Sequence, residues 1–153
     1  MTVESRGFKS SRPLPPRLSA RETVIDYYEA LCRGEPLAPY FAERPDVVKV
    51  GVFSRVVGFD DVAESLREQT RTTAAWTVDS HDLRTHEPPT DDACVWFTDV
   101  VDLSWRETDR ETSHAFETRW SGVLEPRGDG DAREWVFATM HVSAPHRPRQ
   151  DAE

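Results

Sequence analysis

The chain has 153 residues, which is enough for one domain with a buried core. Its two cysteines cannot build a disulfide framework or a four-thiolate zinc site, and they favour a reducing compartment. No apolar run approaches the roughly 20 residues of a membrane-spanning helix, and residues 1–17 lack the apolar core of a signal peptide. We therefore expect a soluble, cytoplasmic protein without a membrane partner.

The charge is distributed unevenly along the chain. Residues 1–21 contain five basic residues and one acidic residue, whereas the remainder contains 14 basic and 27 acidic residues. An acidic body repels phosphate backbones, so we expect no nucleic-acid partner. Residues 1–18, rich in Pro, Ser and Arg, predict a disordered basic leader, and residues 145–153 predict a flexible tail. The folded domain is expected over residues 19–144.

Two helices are predicted in the first half of the chain. In the first helix, apolar residues recur at the spacing that places them on one helix face: Val24, Ile25, Tyr28, Leu31 and Cys32. Ser19 and Glu22 have the spacing of a capping box, and Gly34 is a helix stop. Asp61 and Glu64 have the same capping spacing at the start of the second helix. Between the helices, the β-branched runs 46–50 and 54–58 predict a small hairpin.

From Ala74 onward the pattern becomes that of strands. Turn-like segments separate four long strand candidates, over about residues 74–84, 93–106, 112–125 and 133–143. Strands joined by such short links pair as an antiparallel meander. Helices followed by antiparallel strands predict an α+β domain in which the helices pack on one face of the sheet.

Together with this order of helices and strands, three segments of the sequence resemble the SnoaL-like branch of the nuclear transport factor 2-like (NTF2-like) superfamily. They are the first helix with Tyr27 and Tyr28, the entry to the second helix at 56–62, and the segment 119–143. The last ends in a W-x-[hydrophobic]-x-x-x-H-x-S strand at 135–143, and the resemblance covers roughly residues 19–144. It implies an NTF2-like cone, in which a strongly bent antiparallel sheet wraps around N-terminal helices and leaves a pocket at the open end. It also implies a homodimer joined through the outer sheet faces.

Strand periodicity then identifies candidate site residues. Asp99 lies on a strand face that is otherwise apolar and includes Phe97, and a buried carboxylate needs partners. Three interpretations stay open: a general acid or base in the cone, a salt bridge to Arg119, or a bulge that turns Asp99 to water. Arg119 is also a candidate for holding a ligand oxygen.

The last strand places a second set of candidates on one face. Trp135, Phe137 and His141 share that face with Thr139 and Ser143 by period-2 alternation. His141 is a candidate proton carrier or a histidine at the rim of the cone. Tyr27 lies off the apolar stripe of the first helix and offers its hydroxyl to the pocket mouth. The ligand-binding candidates are Arg119, Tyr27, Trp135, Phe97, Ser121 and Ser143.

Two functions are consistent with these residues. In the first, the cone binds a small, largely apolar molecule, and Asp99 and His141 carry cofactor-independent acid/base chemistry of the isomerase, cyclase or dehydratase type. In the second, the protein is a non-catalytic ligand-binding or dimeric association module. A purely structural variant would fill the cone with Trp76, Trp105 and Trp135. We expect no cofactor, and no metal because His81 and His86 lack a second pair with ligand spacing.

Overall fold

The computed structural model describes residues 17–90 and 93–145, so most of the predicted leader and tail lies outside the described residues. Within these ranges the elements follow in this order: α1 (Ala20–Arg33), a 3₁₀ turn (Ala38–Tyr40), β1 (Val48–Val50), β2 (Arg55–Val57), α2 (Phe59–Thr72), β3 (Thr73–Ser80), β4 (Arg84–His86), β5 (Val95–Glu107), β6 (Thr112–Arg127), a 3₁₀ turn (Gly130–Ala132) and β7 (Glu134–Ser143). No helix among them is long and apolar enough to cross a membrane.

Helix α1 begins and ends as predicted. The Glu22 backbone N–H donates to the Ser19 hydroxyl at 3.0 Å, and the Ser19 N–H donates to the Glu22 carboxylate at 2.9 Å. Gly34 ends the helix with a φ of +71°, a conformation that glycine adopts without steric cost. Half of the helix residues are buried, and they are Ala20, Thr23, Val24, Tyr27, Tyr28, Ala30 and Leu31.

The predicted buried stripe of α1 is partly wrong. Ile25 and Cys32 are exposed, whereas Tyr27, expected to lie off the stripe, is buried beside Tyr28. The reason is the curvature of the sheet, because α1 contacts β3, β4 and β7. A helix enclosed from several directions buries a wider arc than one that rests on a flat sheet.

Helix α2 starts earlier than the capping pattern predicted. Gly58 precedes it with a φ of +91°, and the Val62 N–H donates to the Gly58 carbonyl at 2.9 Å. Asp60 and Asp61 therefore lie inside the first turn, and no side chain caps the helix. Both carboxylates still lie at the positive end of the helix dipole, which stabilises this start.

The sheet has the strand order β2-β1-β7-β6-β5-β3, with β4 also paired to β5. All neighbours are antiparallel except β1 and β7, whose parallel pairing was not predicted. The first long strand candidate is divided into β3 and β4, which pair with different parts of β5. The α+β class with an antiparallel meander of long strands is confirmed.

The alternation predicted for β5 and β6 is confirmed, but that of β7 is wrong. The β6–β7 register shifts so that Val123 pairs with Thr139 and Leu124 with Phe137, which leaves Ala138 as the extra residue. Phe137 is therefore buried while His141 is exposed, although period-2 counting placed them on one face.

Candidate functional site

A cavity of about 390 Å³ lies at the open end of the curved sheet. It is bounded by α1, α2, the turn between β1 and β2, and the inner faces of β3, β5, β6 and β7. Aromatic side chains dominate its lining: Tyr27, Phe53, Trp76, Trp105 and Trp120. Its charged side chains are Lys49, Glu68, Glu107 and Arg110. The cone is therefore not filled, and its volume suits a molecule of one or two rings.

A larger groove, of about 630 Å³, lies outside the cone beside residues 132–135. Tyr40 and Trp135 line it, and the Tyr40 hydroxyl donates to Asp26 at 2.6 Å. Its other carboxylates, Glu35 and Glu134, are exposed to water, which screens their charge. The smaller cavity holds a desolvated charged group, which makes it the candidate site.

Lys49 is that charged group, and its side chain is half-buried. It pairs with Met140 in the parallel ladder between β1 and β7, so its side chain shares the inner face with this buried methionine. Its amine forms no hydrogen bond or ion pair with any residue that the structure describes. Burial lowers the pKa of the Lys49 ammonium to about 8, because the charged form loses its hydration.

A β-bulge directs Trp76 into the cavity. The β3–β5 register shifts between Ala74 and Thr77, and Ala75 has a φ of +59°, which is uncommon for alanine. The Trp76 indole stacks on that of Trp105, with ring centres 4.6 Å apart and planes inclined by 14°. Together they form a flat wall that suits an aromatic ring.

Charged and aromatic residues surround the mouth of the cavity. The Glu107 carboxylate lies 2.7 Å from His114 Nε2 and 2.6 Å from the Arg110 guanidinium. The hydrogen bond with His114, supported by Arg110, holds the pKa of Glu107 below its usual range. Phe53, which is 67% exposed, lies over this group with its ring 5.3 Å from the His114 ring. The turn that carries Phe53 thus covers one side of the entrance.

Tyr27 lines the cavity from α1. Edge-on contacts fix its ring, with centroid distances of 5.3 to 6.3 Å to Tyr40, Phe41, Trp120 and Phe137. Its hydroxyl forms no hydrogen bond with another described residue. Burial, together with Tyr40, raises the pKa of the Tyr27 phenol, so the hydroxyl stays protonated at neutral pH and can donate.

Asp99 lies in the wall of the core. It is 3% exposed, and its Oδ2 accepts hydrogen bonds from the Tyr28 hydroxyl at 2.8 Å and from the Ser80 hydroxyl at 2.6 Å. Its Oδ1 accepts from the Asp82 backbone N–H at 3.0 Å, in the break between β3 and β4. Burial and the carboxylate raise the pKa of Tyr28. Asp99 neither pairs with Arg119 nor faces water.

The other predicted site residues lie away from the cavity. Two cross-strand pairs occupy the outer face of the sheet: Ser121 with His141, and Arg119 with Ser143. Phe97 is in the core, 5.7 Å from Phe137 between ring centres, and Trp135 lines the outer groove. Of the eight residues predicted from the sequence, Tyr27 alone lines the cavity.

Lys49 is not among the site residues predicted from the sequence, although one signal marked it. Lysine is among the residues least often buried, yet Lys49 stands between Val48 and Val50 in a β-branched run. A strand of three residues is too short for alternation to show which side chain points inward. The direction of Lys49 follows only from its pairing with β7.

Asp79, His81 and Asp102 form an exposed cluster on the outer surface, with potential metal-ligand atoms within 4.8 Å of one another. A hydrogen bond of 2.8 Å to Asp102 raises the pKa of His81. His86 does not join them, since it stacks on Trp96. All three side chains are exposed to water, and we assign them no ligand.

A family model described as SnoaL-like domain matches residues 20–147. The chain belongs to the SnoaL-like domain family. The match includes every helix and strand of the described residues, and the resemblance drawn from the sequence is confirmed. Among curated proteins, no sequence matches this SnoaL-like chain.

Solved structures share the fold of this SnoaL-like domain at low sequence identity. An NTF2-like superfamily protein from Salmonella enterica serovar Typhimurium is 14% identical, with a TM-score of 0.68 over 87% of this chain and 93% of that one. A ketosteroid isomerase-like protein from Erwinia carotovora atroseptica is 15% identical, with a TM-score of 0.63 over 82% and 92%. A protein provisionally named scytalone dehydratase, from Novosphingobium aromaticivorans, is 16% identical, with a TM-score of 0.65 over 81% and 80%. These likenesses show the NTF2-like cone alone.

Proposed function

We propose that the cavity binds a small, largely apolar molecule that contains a ring and a carbonyl group. The stacked Trp76 and Trp105 supply a flat apolar wall, and Phe53 covers part of the entrance. Lys49 supplies a polar group that lacks a carboxylate partner among the described residues, so a carbonyl or enolate oxygen would complement it. We propose no cofactor, because the lining offers both a proton acceptor and a proton donor.

We further propose cofactor-independent proton transfer of the isomerase, cyclase or dehydratase type. The observation that carries this proposal is the unpaired Lys49 amine in an aromatic cavity, with a pKa of about 8. A base with a pKa near the working pH is the most effective one. Neutral Lys49 would remove a proton from the carbon next to the carbonyl group. The Tyr27 hydroxyl would donate a hydrogen bond to the oxygen as the enolate forms.

The ammonium formed on Lys49 then completes the reaction. It returns its proton to a different carbon in an isomerisation, or gives it to a departing hydroxyl in a dehydration. Asp99 contributes indirectly in this proposal, because its bond to Tyr28 holds the helix that also carries Tyr27. His141 lies on the outer face and belongs to the proposed dimer contact described below.

Exchange of hydrogen for deuterium tests proton abstraction directly. Cyclic and aromatic ketones are incubated with the protein in D₂O, and loss of the signal of the protons next to the carbonyl is followed by NMR. We expect exchange above the buffer rate for ketones that quench tryptophan fluorescence, and loss of that exchange in Lys49→Met. Lys9→Met is the matched control and should retain exchange. Ketones that bind without exchange or product would instead establish a non-catalytic binding module.

A separate observation favours a homodimer joined through the outer sheet faces. Trp96 is 53% exposed on that face and stacks on His86, with ring centres 3.9 Å apart. A depression of about 290 Å³ lies beside it, lined in part by Ser121, Val123 and His141. Large exposed aromatics are enriched where proteins associate. Sedimentation should show a dimer for the parent and a monomer for Trp96→Asp, whereas Phe53→Ser, a change on the cavity side, should leave the mass unchanged.

We also propose a cytoplasmic location. Cys32 and Cys94 are both exposed free thiols, which fits a reducing compartment. Fractionation of cells that express the tagged protein would place it; recovery in an oxidising compartment would contradict the proposal.

A further inference from the structure

We infer that Lys49 forms an imine with an aldehyde or ketone held in the cavity. This inference rests on the proposed binding of a carbonyl compound, and for a compound held as an imine the covalent bond takes the place of direct proton abstraction by Lys49. Lys49 would then act as a nucleophile, and the bound carbonyl compound would become an electrophile that loses a neighbouring proton more readily than the free ketone does.

The first support is the isolation of the amine. Two carboxylates line the cavity among the described residues, and both are occupied elsewhere. Glu68 pairs with Arg71 on the same helix, and Glu107 pairs with Arg110 and His114. Neither holds Lys49 as an ammonium ion. An amine in this setting is free to attack a carbonyl carbon.

The second support is the position of the amine at the edge of the cavity. Lys49 Nζ reaches the turn between β1 and β2, 3.7 Å from where a Cβ of Gly51 would lie. The same turn carries Phe53, and the stacked Trp76 and Trp105 line the cavity as well. A ligand ring stacked on this wall would lie in the same enclosed volume as the Lys49 amine. This proximity favours attack of the amine on the carbonyl carbon of the ligand.

The third support is the protonation state. Burial lowers the pKa of Lys49 to about 8, so roughly a quarter of it is neutral at pH 7.5. A lysine with an ordinary pKa is about one part in a thousand neutral at the same pH. Tyr27, Glu68, Glu107 and Arg110 line the same cavity from α1, α2, β5 and the β5–β6 turn.

The covalent step balances without a further reactant. The lone pair of Lys49 Nζ bonds to the carbonyl carbon while the C=O π pair moves to oxygen, and a proton passes from nitrogen to that oxygen. The hydroxyl of the resulting carbinolamine accepts a second proton, for which Tyr27 is the available donor, and leaves as water. The nitrogen lone pair then forms the C=N bond of an iminium ion, and the remaining N–H proton returns to the Tyr27 phenolate, which gives the neutral imine. Hydrolysis reverses these steps and frees the amine.

The chain has two lysines, so labelling of Lys49 can be compared with labelling of Lys9 in the same protein. The protein is incubated with 2-naphthaldehyde and sodium cyanoborohydride at pH 7.5, and peptides containing Lys9 and Lys49 are separated by mass spectrometry, which also resolves any α-amine product. The reductant traps each imine by adding hydride to its carbon. We expect Lys49 to be labelled at least about tenfold faster than Lys9, with a rate that rises through pH 8. Trp76→Ala should slow labelling of Lys49 and leave Lys9 unchanged.

Two outcomes would overturn the inference in different ways. 2-Naphthylmethanol resembles the aldehyde but cannot form an imine, and its binding is followed by tryptophan fluorescence. If it binds while Lys49 is labelled no faster than Lys9, the imine is excluded and the proposed binding function stands. If it does not bind and Lys49 is not labelled preferentially, both fail. Lys49→Arg, checked for folding by circular dichroism, should retain binding of 2-naphthylmethanol and lose the label at position 49.

Discussion

The Tyr28 hydroxyl donates to the Asp99 carboxylate at 2.8 Å and joins helix α1 to strand β5 inside the core. The Ser80 hydroxyl and the Asp82 backbone N–H complete the set of donors, and neither they nor Tyr28 line the cavity. An anion with three donors is satisfied without a counter-ion. This arrangement gives Asp99 a structural role that its position in the sequence did not distinguish from a catalytic one.

Replacement of Asp99 by Asn should therefore reduce stability. The amide accepts through one oxygen only, and its NH₂ group faces donors, which leaves buried polar atoms unsatisfied. We expect a loss of about 1–3 kcal/mol in the free energy of unfolding, measured with urea. Tyr28→Phe removes a single bond and should cost about 0.5–1.5 kcal/mol. Unchanged stability with complete loss of ketone exchange in Asp99→Asn would instead make Asp99 catalytic.

Replacement of Lys49 by Met should raise stability while it removes activity. The pKa of Lys49 is lowered from its ordinary value to about 8, so the folded state binds fewer protons than the unfolded state above pH 8. The parent should therefore become more stable as pH rises from about 8 to 10.4. Below pH 8 the unpaired ammonium lowers the free energy of unfolding by the full difference between the two pKa values, so Lys49→Met should be more stable than the parent by about 3 kcal/mol at pH 7.

Urea unfolding of the parent and Lys49→Met at pH 7 and pH 10 measures this difference. The gap should shrink at the higher pH, because the parent amine is then neutral in the folded state. Lys9→Met is the control for loss of a lysine as such. A gap that does not change with pH would show that desolvation of Lys49 is not its cause.

Replacement of Ala75 by Gly should relieve the bulge that orients Trp76. A left-handed conformation costs a non-glycine residue roughly 1–2 kcal/mol, whereas glycine in a strand costs about 0.5–1 kcal/mol in chain entropy. The free energy of unfolding should therefore stay equal or rise by up to about 1 kcal/mol. Binding of 2-naphthylmethanol should be retained, since the indole stack is unchanged. A marked loss of stability would show that Ala75 carries no strain.

Replacement of Gly122 by Ala should be among the most harmful small changes in the sheet. A Cβ there would overlap the Thr139 carbonyl oxygen and lie 2.8 Å from a ring carbon of Phe97, beside the bulge in β7. The backbone must shift to admit it, so we expect a loss of about 3 kcal/mol or more by urea unfolding. Gly51→Ala is the matched control: its nearest neighbour would be the Ser54 hydroxyl at 3.4 Å, and it should change stability little.

Local patterns were enough to predict much of this architecture. The capping box of Ser19 and Glu22, the stop at Gly34 and the two faces of β5 depend on neighbours a few residues apart. The order of helices and strands follows from such signals, and the closing strand at 135–143 carried the resemblance to the SnoaL-like family. The fold class and the family were therefore accessible from the sequence by itself.

The candidate site was decided by contacts between distant segments. Lys49 points inward because β1 joins β7 in parallel, 91 residues further along the chain, as the hydrogen bond between Thr139 and the Val48 carbonyl shows. The bulge at Ala138 reverses the face that period-2 counting had assigned to part of β7, and the bulge at Ala75 turns Trp76 into the cavity. Asp99 was chosen from the sequence as an isolated carboxylate, but its donors come from α1 and the β3–β4 break. Strand register and the accumulated curvature of the sheet determine these neighbours, and neither is encoded in the spacing of residues within one strand.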